Sequence, residues 1–367
     1  MIIYVGTFTY PGRSQGLYVC QADASGLLRE VQRVALPDPS YLTLSADPPA
    51  RLYAACHRRD FAGARGGGLV EFTVDQVTGT LAATWQVVVP VPHPAYVGFG
   101  PGKRHLITAS PLGGAICLIE LPRNGQAARP VDIVDHEGEP VVARHGSLAG
   151  DRVSWPPAAP VPSGAPMPHA AVTPPGGEVV YVPDRGRDTI SAYTLDGGRL
   201  VPRPGLGAAL PAGSGPRHID FDQAGRTMYV INEISSTISV FRVARPGGAL
   251  QHAQTLPTVP EGAPHNEASD IHLHPSGRFL YASNRGHDSI AVFAVDPADG
   301  RLTATSWVSS IGRCPRNFVI TPTGSLLLCA NQDSGTVVAF WVSPGDGSLH
   351  PTGAVSAIPS PTCLVIG

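Results

Sequence analysis

One pattern of apolar and polar positions recurs along this chain, and its clearest copy lies between Ser214 and Arg242. Alternating apolar side chains and β-rich runs, separated by Gly-containing turns, are typical of short antiparallel strands. This copy therefore predicts a strand, a tight turn, a second strand, a polar break and a third strand. The predicted segments are the strand 218–221, the turn 222–225 and the strands 228–231 and 238–243.

Equivalent units follow one another along the chain. An incomplete unit at the N-terminus lacks its first strand, and further units begin at Pro39, Pro94, Pro168, Pro216, Ser269 and Pro315. The segment 361–366 has the same Pro lead-in and matches the missing first strand. Four-stranded units spaced by roughly 45–55 residues are the signature of a β-propeller. We therefore predict an all-β fold, a seven-bladed β-propeller that residues 1–367 form as a single domain, with the C-terminal strand joining the N-terminal blade to close the ring.

The interval from Pro94 to Pro168 is longer than the other intervals between unit starts. The excess falls at residues 148–166, which are rich in Pro, Ala and Gly, and we predict a loop inserted before the fourth blade. Such a loop leaves the ring on the face where the polar ends of the strands gather. It either covers a site there or is a plain surface insertion, and the sequence leaves both interpretations open.

Composition supports a strand-rich protein. Glycine (42 residues) and proline (38 residues) are abundant, while only 15% of the residues are charged. A hydrophobic content of 43% is enough for a folded core. The net charge of −2 provides no basic surface for nucleic acid or anionic lipid, and no apolar run is long enough to span a bilayer. We expect a soluble monomer or weak homo-oligomer with no nucleic-acid or membrane partner.

The N-terminus and the cysteines bear on location. The opening residues MIIYVGTFTYPGR lack a basic region and are better explained as a first strand than as a signal peptide. The six cysteines form no CxxC pair, and four of them lie inside apolar β runs, where a reduced thiol packs as a small apolar group. These features predict a cytoplasmic protein.

Polar residues cluster at two places in each unit, the start of its first strand and the end of its second. Antiparallel pairing brings these places to one sheet edge, so a propeller gathers all of them at one mouth of its channel. The first set is Ser40, Tyr41, Tyr96, His169, Arg217, His218, Asp270, Arg316 and Asn317, and the second is Thr7, His57, Arg58, Ser110, Asp184, Arg185, Asn232, Glu233, Asn284, Arg285, Asn331 and Gln332. Any single member could simply cap a turn or pair between blades. The recurrence of Arg and Asn favours a small anionic ligand, because guanidinium binds carboxylate or phosphate in a bidentate manner.

Several phrases of the sequence also resemble one known family. They are IYVGTFT, PHAAVTPPGGEVVYVPDRGRDTISAY, GPRHIDFDQAGRTMYVINEISSTISVF, DIHLHPSGRFLYASNRGHDSIAVF, PRNFVITPTGSLLLCANQDSGTVVAF and the final PTCLVIG. Together they span nearly the whole chain and are similar to the seven-bladed β-propeller lactonases, a family that includes propeller-type 6-phosphogluconolactonases and fungal carboxymuconate-lactonising enzymes. The most specific part is GPRH followed by NE, with SNR in the next unit.

The resemblance implies a set of site residues. Its catalytic members match the site proposed for the muconate-lactonising branch of the family and are His169, Arg217, Glu233 and Arg285. The segment 144–147, RHGS, also resembles a family loop next to the site. The candidate substrate-binding residues are His145, His218, Asp270, Asn284, Arg316 and Asn317. The insertion that follows residue 147 departs from the family, so the resemblance leaves the size and choice of substrate open.

Hydrolysis of a lactone needs an activated water, positive charge where the oxyanion develops and a group that binds the substrate's own anion. We therefore expect a lactonase for a small anionic lactone, with hydrolysis of 6-phosphogluconolactone to 6-phosphogluconate as the leading hypothesis. In it His169 is the general base. Arg217 and Arg285 bind the oxyanion and the acid group, and Glu233 orients Arg217 or relays a proton. A cycloisomerase that protonates a carbon and a non-enzymatic binding scaffold are the alternatives.

We expect no metal and no cofactor. His272 and His274, with His265 upstream, form an HxH pattern without a third ligand at firm spacing, and we interpret the pair as facing solvent. The sequence also lacks a GxSxG nucleophile motif, and a lactonase of this kind does not require one.

Overall fold

The computed structural model describes residues 1–10, 13–45, 49–122, 127–136, 164–245 and 247–367. In this part of the chain, short β-rich runs separated by turns form seven four-stranded antiparallel sheets, which we number blade 1 to blade 7. Glycines close several of the turns in the left-handed region that other residues avoid, as at Gly225 (φ 63°) and Gly324 (φ 73°). The predicted seven-bladed, all-β fold is confirmed.

In six of the blades the strands pair in one spatial order, which begins with the innermost strand, and blade 4 lacks a regular innermost strand. Blade 1 contains β30 (Pro361–Ile366), β1 (Ile2–Thr7), β2 (Gly16–Ala22) and β3 (Leu28–Ala35). Blade 2 contains β4 (Pro39–Leu44), β5 (Arg51–Cys56), β8 (Gly67–Val74) and β9 (Leu81–Val89), with the hairpin β6 (Asp60–Phe61) and β7 (Ala64–Arg65) beside it. Blade 3 contains β10 (Tyr96–Phe99), β11 (His105–Ser110), β12 (Ala115–Glu120) and β13 (Arg129–Asp135), with a 3₁₀ turn at Pro101–Lys103.

The remaining blades continue around the ring. Blade 4 contains β14 (Val179–Asp184), β15 (Thr189–Asp196), β16 (Arg199–Pro202) and β17 (Ala208–Ala209), with a 3₁₀ turn at Pro204–Leu206. Blade 5 contains β18 (Pro216–Phe221), β19 (Thr227–Asn232), β20 (Thr237–Val243) and β21 (Leu250–Pro257). Blade 6 contains β22 (Glu267–Leu273), β23 (Phe279–Arg285), β24 (Ser289–Val295) and β25 (Leu302–Ser309). Blade 7 contains β26 (Pro315–Ile320), β27 (Leu326–Asn331), β28 (Thr336–Val342) and β29 (Leu349–Ala357).

The C-terminal strand occupies the innermost place of the first sheet. β30 pairs antiparallel with β1, and Cys363 lies opposite Gly6 in this ladder. The chain ends therefore meet in one sheet, so the inner edge of β1 is covered rather than exposed.

Apolar side chains fill the junctions between neighbouring blades. In the described residues, seven large apolar clusters each join two adjacent blades. Leu364 of blade 1, for example, packs in one cluster with Leu328 of blade 7, and Tyr229 of blade 5 packs with Leu280 of blade 6. The core is thus a circle of inter-blade contacts, and the stability of each blade depends on both neighbours.

Tyrosine hydroxyls add a directional link at four of these junctions. Each tyrosine donates to a glycine carbonyl in the outer turn of the next blade. The bonds are Tyr4 to Gly79 (2.9 Å), Tyr229 to Gly300 (3.0 Å), Tyr281 to Gly347 (2.8 Å) and Tyr181 to Gly248. Three of these bonds are buried and the Tyr229 bond is partly buried, and together they fix the angle between neighbouring sheets as well as their distance.

The innermost strands share a β-bulge near the channel mouth. Between Pro216 and His218 the register advances two residues while the partner strand advances one, so Arg217 is the extra residue. The same irregularity makes Ser40, Arg316 and Thr362 extra residues in blades 2, 7 and 1, and it recurs between Ala268 and Ile271 of blade 6. A bulge takes its extra residue out of the alternation of the strand and re-aims its side chain.

Blade 4 differs from the sequence prediction in its innermost segment. We expect a strand after Pro168, but the structure has only two isolated bridges there, Pro168 with Asp184 and Val172 with Tyr181. Pro168 has no N–H to donate and the alanines at 170–171 favour strands weakly, so a regular ladder does not form. The predicted insertion at 148–166 lies outside the described residues, except for its last three positions.

The described part of the chain contains no helix with the length and apolar character needed to cross a membrane.

Candidate active site

The bulges and the strand ends bring four arginines close together at one mouth of the channel. Arg217 and Arg316 are the extra residues of two bulges. Arg185 directly follows β14 and Arg285 is the last residue of β23. Each of these four arginines is therefore placed at the mouth by one of two local features, a bulge at the start of an inner strand or the end of the next strand.

Glu233 is the centre of this group and is fully buried. Its Oε1 lies 2.7 Å from Arg185 Nε, and its Oε2 lies 3.0 Å from Arg217 Nε and 3.2 Å from Arg285 Nη2. Three guanidinium groups thus share one carboxylate, and we call these four residues the Glu233 cluster. A second acid, Glu267, lies at the longer distance of 3.7 Å from Arg285.

The positive and negative charges of the Glu233 cluster do not cancel. Burial alone would raise the pKa of Glu233, but attraction by Arg185, Arg285 and Arg217 outweighs burial and lowers this pKa to about 2. A carboxylate that stays ionised orients guanidinium groups and does not carry protons at neutral pH. Burial, and then repulsion by Arg285 and Arg316, lowers the pKa of Arg217, although a guanidinium remains protonated at neutral pH. The cluster therefore holds more positive than negative charge.

His169 lies next to this cluster on the innermost segment of blade 4, and only 6% of its surface is exposed. Burial, and then the positive charge of Arg217, holds the pKa of His169 well below its usual value, so the imidazole is neutral at neutral pH. Within the described residues its Nδ1 has no hydrogen-bond partner. A neutral imidazole with an unused ring nitrogen is able to accept a proton from water.

A second hydrogen-bond network holds His218 beside His169. His218 Nδ1 lies 2.7 Å from Asp270 Oδ1, and Asn317 donates to Asp270 Oδ2 at 2.5 Å. His272 Nε2 lies 3.1 Å from the same Oδ2, and the backbone N–H of Leu364 donates to Asn317 Oδ1 at 2.6 Å. Asp270 and Asn317 thus connect the inner strands of blades 5, 6, 7 and 1. Their contacts fix the His218 ring, whose centre is 5.2 Å from that of His169.

Aromatic rings complete this wall of the channel. The His218 ring lies edge-on to Tyr41 at 5.8 Å and to Tyr96 at 6.4 Å. Burial, and then Arg217, lowers the pKa of His218 to about 4, against the opposing effect of Asp270. The imidazole is therefore neutral and contributes no charge to the mouth at neutral pH.

Two predicted substrate-binding residues stand apart from these networks. Asn284 donates to Thr258 O at 2.8 Å and accepts a hydrogen bond from Asn266 at 3.1 Å. These bonds tie the ends of neighbouring loops together, and a substrate-binding role for Asn284 stays a prediction. His145 lies outside the described residues, and its role stays a prediction as well.

Arg185 is absent from the set of site residues that the sequence analysis selects. In the sequence it is one of the strand-end polar residues, for which capping a turn is the ordinary role. The signal that could have found it is positional. Arg185, Glu233 and Arg285 lie at equivalent strand ends of blades 4, 5 and 6, so aligned repeats place charges of alternating sign side by side.

The interpretation of His272 and His274 as a solvent-facing pair is wrong for His274. His274 is only 8% exposed, and its Nε2 lies 2.9 Å from Gly324 O in the turn of the next blade. The side chain is buried because blade 7 packs over it, which a pattern within one strand does not reveal. Across the residues that the structure describes, no group of three or more His, Cys, Asp or Glu side chains is arranged to hold a metal ion.

Comparison with known proteins points in one direction. The model of the family described as "Lactonase, 7-bladed beta-propeller" matches residues 2–366. The chain is 28% identical over 323 residues to the 6-phosphogluconolactonase of Bacillus subtilis (strain 168), covering 86% of this chain and 84% of that protein. It is 26% identical over 322 residues to the 6-phosphogluconolactonase of Serratia proteamaculans, covering 87% and 84%.

A solved structure agrees with these sequence matches. The periplasmic gluconolactonase of Pseudomonas aeruginosa superposes with a TM-score of 0.86 at 28% identity, over 99% of this chain and 98% of that one. Fold, repeat number and full-length sequence similarity therefore coincide. The chain belongs to the lactonase family of seven-bladed β-propellers.

Proposed function

We propose that this protein hydrolyses 6-phosphogluconolactone to 6-phosphogluconate. The observation that carries the proposal is the Glu233 cluster, in which three buried arginines share one carboxylate next to the neutral His169. Such a mouth attracts an anionic substrate and offers positive charge to a developing oxyanion. Two curated relatives named 6-phosphogluconolactonase support the choice of substrate.

The proposed reaction adds water across the ring ester. His169 removes a proton from water while the water oxygen attacks the carbonyl carbon of the lactone. Arg217 and Arg285, held in place by Glu233, stabilise the oxyanion of the tetrahedral intermediate. The intermediate collapses with cleavage of the ring C–O bond, and the protonated His169 returns its proton to the departing alkoxide. The product is a hydroxy acid, whose new carboxyl group releases its proton to solvent at neutral pH.

The direct test is the hydrolysis of 6-phosphogluconolactone by the purified protein, measured at mildly acidic pH where spontaneous hydrolysis is slow. We expect Arg217→Ala and His169→Ala each to lower kcat/KM by about 100-fold or more, in line with the loss of an oxyanion donor or a positioned base. Absence of acceleration by the folded wild-type protein contradicts the proposal. Conversion of a carboxylated muconolactone without addition of water would instead identify a cycloisomerase.

The pH dependence tests the role of His169. A general base is lost when it is protonated, so activity falls as pH falls through the pKa of the base. Because the pKa of His169 lies well below its usual value, we expect little loss of activity in mild acid. With neutral glucono-δ-lactone as substrate, kcat/KM at about pH 5 should stay within about threefold of its value at about pH 7, whereas an ordinary histidine would lose roughly 25-fold. A midpoint near the ordinary histidine value would count against His169 as the base.

We further propose a cytoplasmic location, supported by the six cysteines, which are all buried and unpaired in the structure. Cell fractionation with compartment markers tests this, and the periplasmic location named for the Pseudomonas aeruginosa relative is the alternative outcome.

A further inference from the structure

Arg316 differs from the other three arginines of the mouth. Arg185, Arg217 and Arg285 all pair with Glu233, whereas the described part of the chain supplies no acidic partner for Arg316. Arg316 is also only partly buried, while the other three are buried. It is therefore a guanidinium that is presented to the mouth and whose charge the protein does not neutralise by direct contact.

An aromatic ring holds this guanidinium in place. Arg316 Cζ lies 5.3 Å from the centre of the Phe8 ring. Phe8 is itself fixed, because it is only 8% exposed and contacts the rings of Tyr10 at 5.6 Å and His57 at 5.7 Å. A cation–π contact of this kind covers one side of a guanidinium and leaves N–H donors on its other sides available. Such donors bind the two oxygens of a carboxylate or phosphate.

The surroundings of Arg316 divide the mouth into two halves. One half is the Glu233 cluster. The other half is aromatic, with Phe8, His57 and His93, and the rings of these two histidines are 4.8 Å apart. Burial lowers the pKa of both His57 and His93, so both are neutral at neutral pH. The positive charge of Arg316 acts on both halves of the mouth, because it helps to lower the pKa of His57 in the aromatic half and the pKa of His169 beside the Glu233 cluster.

We propose that Arg316, whose guanidinium lies over the Phe8 ring, binds the acid group of the substrate that does not react, while the Glu233 cluster binds the lactone carbonyl. The assignment of these two roles rests on the proposed hydrolysis, but binding of an anion by Arg316 can be tested without any reaction. Guanidinium recognises the oxygen atoms of phosphate and carboxylate in the same way, so ligands with either group are tested.

The kinetic test compares an anionic lactone with its neutral counterpart. Arg316→Gln should lower kcat/KM for 6-phosphogluconolactone by about 100-fold or more and leave that for glucono-δ-lactone within about threefold, because only the first substrate has a remote anion. Arg316→Lys should lie between wild type and Arg316→Gln, since it keeps the charge and loses the planar fork. The matched control is Arg313→Gln, which removes the same charge from an exposed position three residues away. Equal losses on both lactones, or no loss on the anionic one, would overturn the proposal.

A binding experiment separates this proposal from the proposed reaction. Titration calorimetry should be carried out with 6-phosphogluconate, gluconate and 4-carboxymuconolactone. We expect Arg316→Gln to lower the binding affinity for the ligands that have a remote acid group by about 100-fold. The ligand most affected identifies phosphate or carboxylate as the recognised group. If the wild type hydrolyses no lactone but binds such a ligand through Arg316, the anion site stands and the proposed function fails. If wild type and Arg316→Gln bind every ligand equally in folded form, the anion site is refuted.

Discussion

Deletion of residues 361–367 is expected to unfold the whole protein rather than to loosen one blade. The deleted strand, β30, is the innermost strand of blade 1, and its residues Cys363 and Leu364 belong to the apolar clusters on opposite sides of that blade. Burial of Leu364 alone contributes about 1.5–3 kcal/mol, and each lost ladder hydrogen bond removes about 1 kcal/mol more. The total is comparable with the roughly 5–15 kcal/mol that stabilises a typical folded protein.

Circular dichroism and chemical denaturation of the shortened chain test this expectation. Removal of Gly367 alone is the matched control, because this residue is exposed and follows the last residue of β30. Gly367 donates one backbone hydrogen bond, to Ile2 O. We therefore expect the control to lose only about 1 kcal/mol, while the chain ending at Ser360 is unfolded or aggregates. A cooperative transition at the wild-type denaturant concentration for the shortened chain would show that the ring does not depend on β30.

Replacement of Glu233 by glutamine is expected to damage both stability and activity. The substitution keeps the size of the side chain but leaves Arg185, Arg217 and Arg285 close together without their shared carboxylate. Removing one partner from a buried ion pair typically costs about 3–5 kcal/mol of unfolding free energy. Because Arg217 and Arg285 lose the group that orients them, we also expect kcat/KM to fall by about 100- to 1,000-fold.

A second substitution separates the two effects. Adding Arg185→Met to Glu233→Gln removes one of the repelling cations, so the double variant should regain part of the lost stability but not the activity. Glu30→Gln is the control for charge removal. It breaks an exposed pair with Arg33 and should cost less than about 1 kcal/mol. If Glu233→Gln is as stable as the wild type in denaturant titrations, the Glu233 carboxylate does not offset the repulsion among the three arginines, and this prediction is wrong.

The sequence is informative about the fold because the repeats are local. Each strand, turn and strand can be recognised from a few dozen residues, and the alternation at 218–221 correctly predicts β18. The prediction of a strand after Pro168 is wrong because its formation is not a local property. A weak strand forms only if it pairs well with its neighbour, and the prolines and alanines of this segment lack the hydrogen-bond donors and the β propensity that a regular ladder needs.

The candidate site is predicted only in part because its contacts lie between blades. The sequence brings Arg217, Glu233 and Arg285 to one mouth, but it does not distinguish Arg185, which contacts Glu233 from a position 48 residues away. The bulges are also invisible in a single strand, since a bulge is a mismatch of register between two strands. For the same reason, the burial of His274 under the turn at Gly324 could not be derived from the HxH pattern.

The bulges have a consequence for how such a mouth can change over evolutionary time. Ser40 of blade 2 and Thr362 of blade 1 occupy the same extra position that Arg217 and Arg316 occupy in blades 5 and 7. The extra residue has no partner in the ladder, so Ser, Thr and Arg all occupy this position in different blades with the same register shift. Mutation at these positions therefore alters ligand chemistry one blade at a time while the scaffold is retained. Arginine introduced at Ser40 or Thr362 would extend the positive charge around the channel, which makes the ring a natural starting point for lactonases with new acidic substrates.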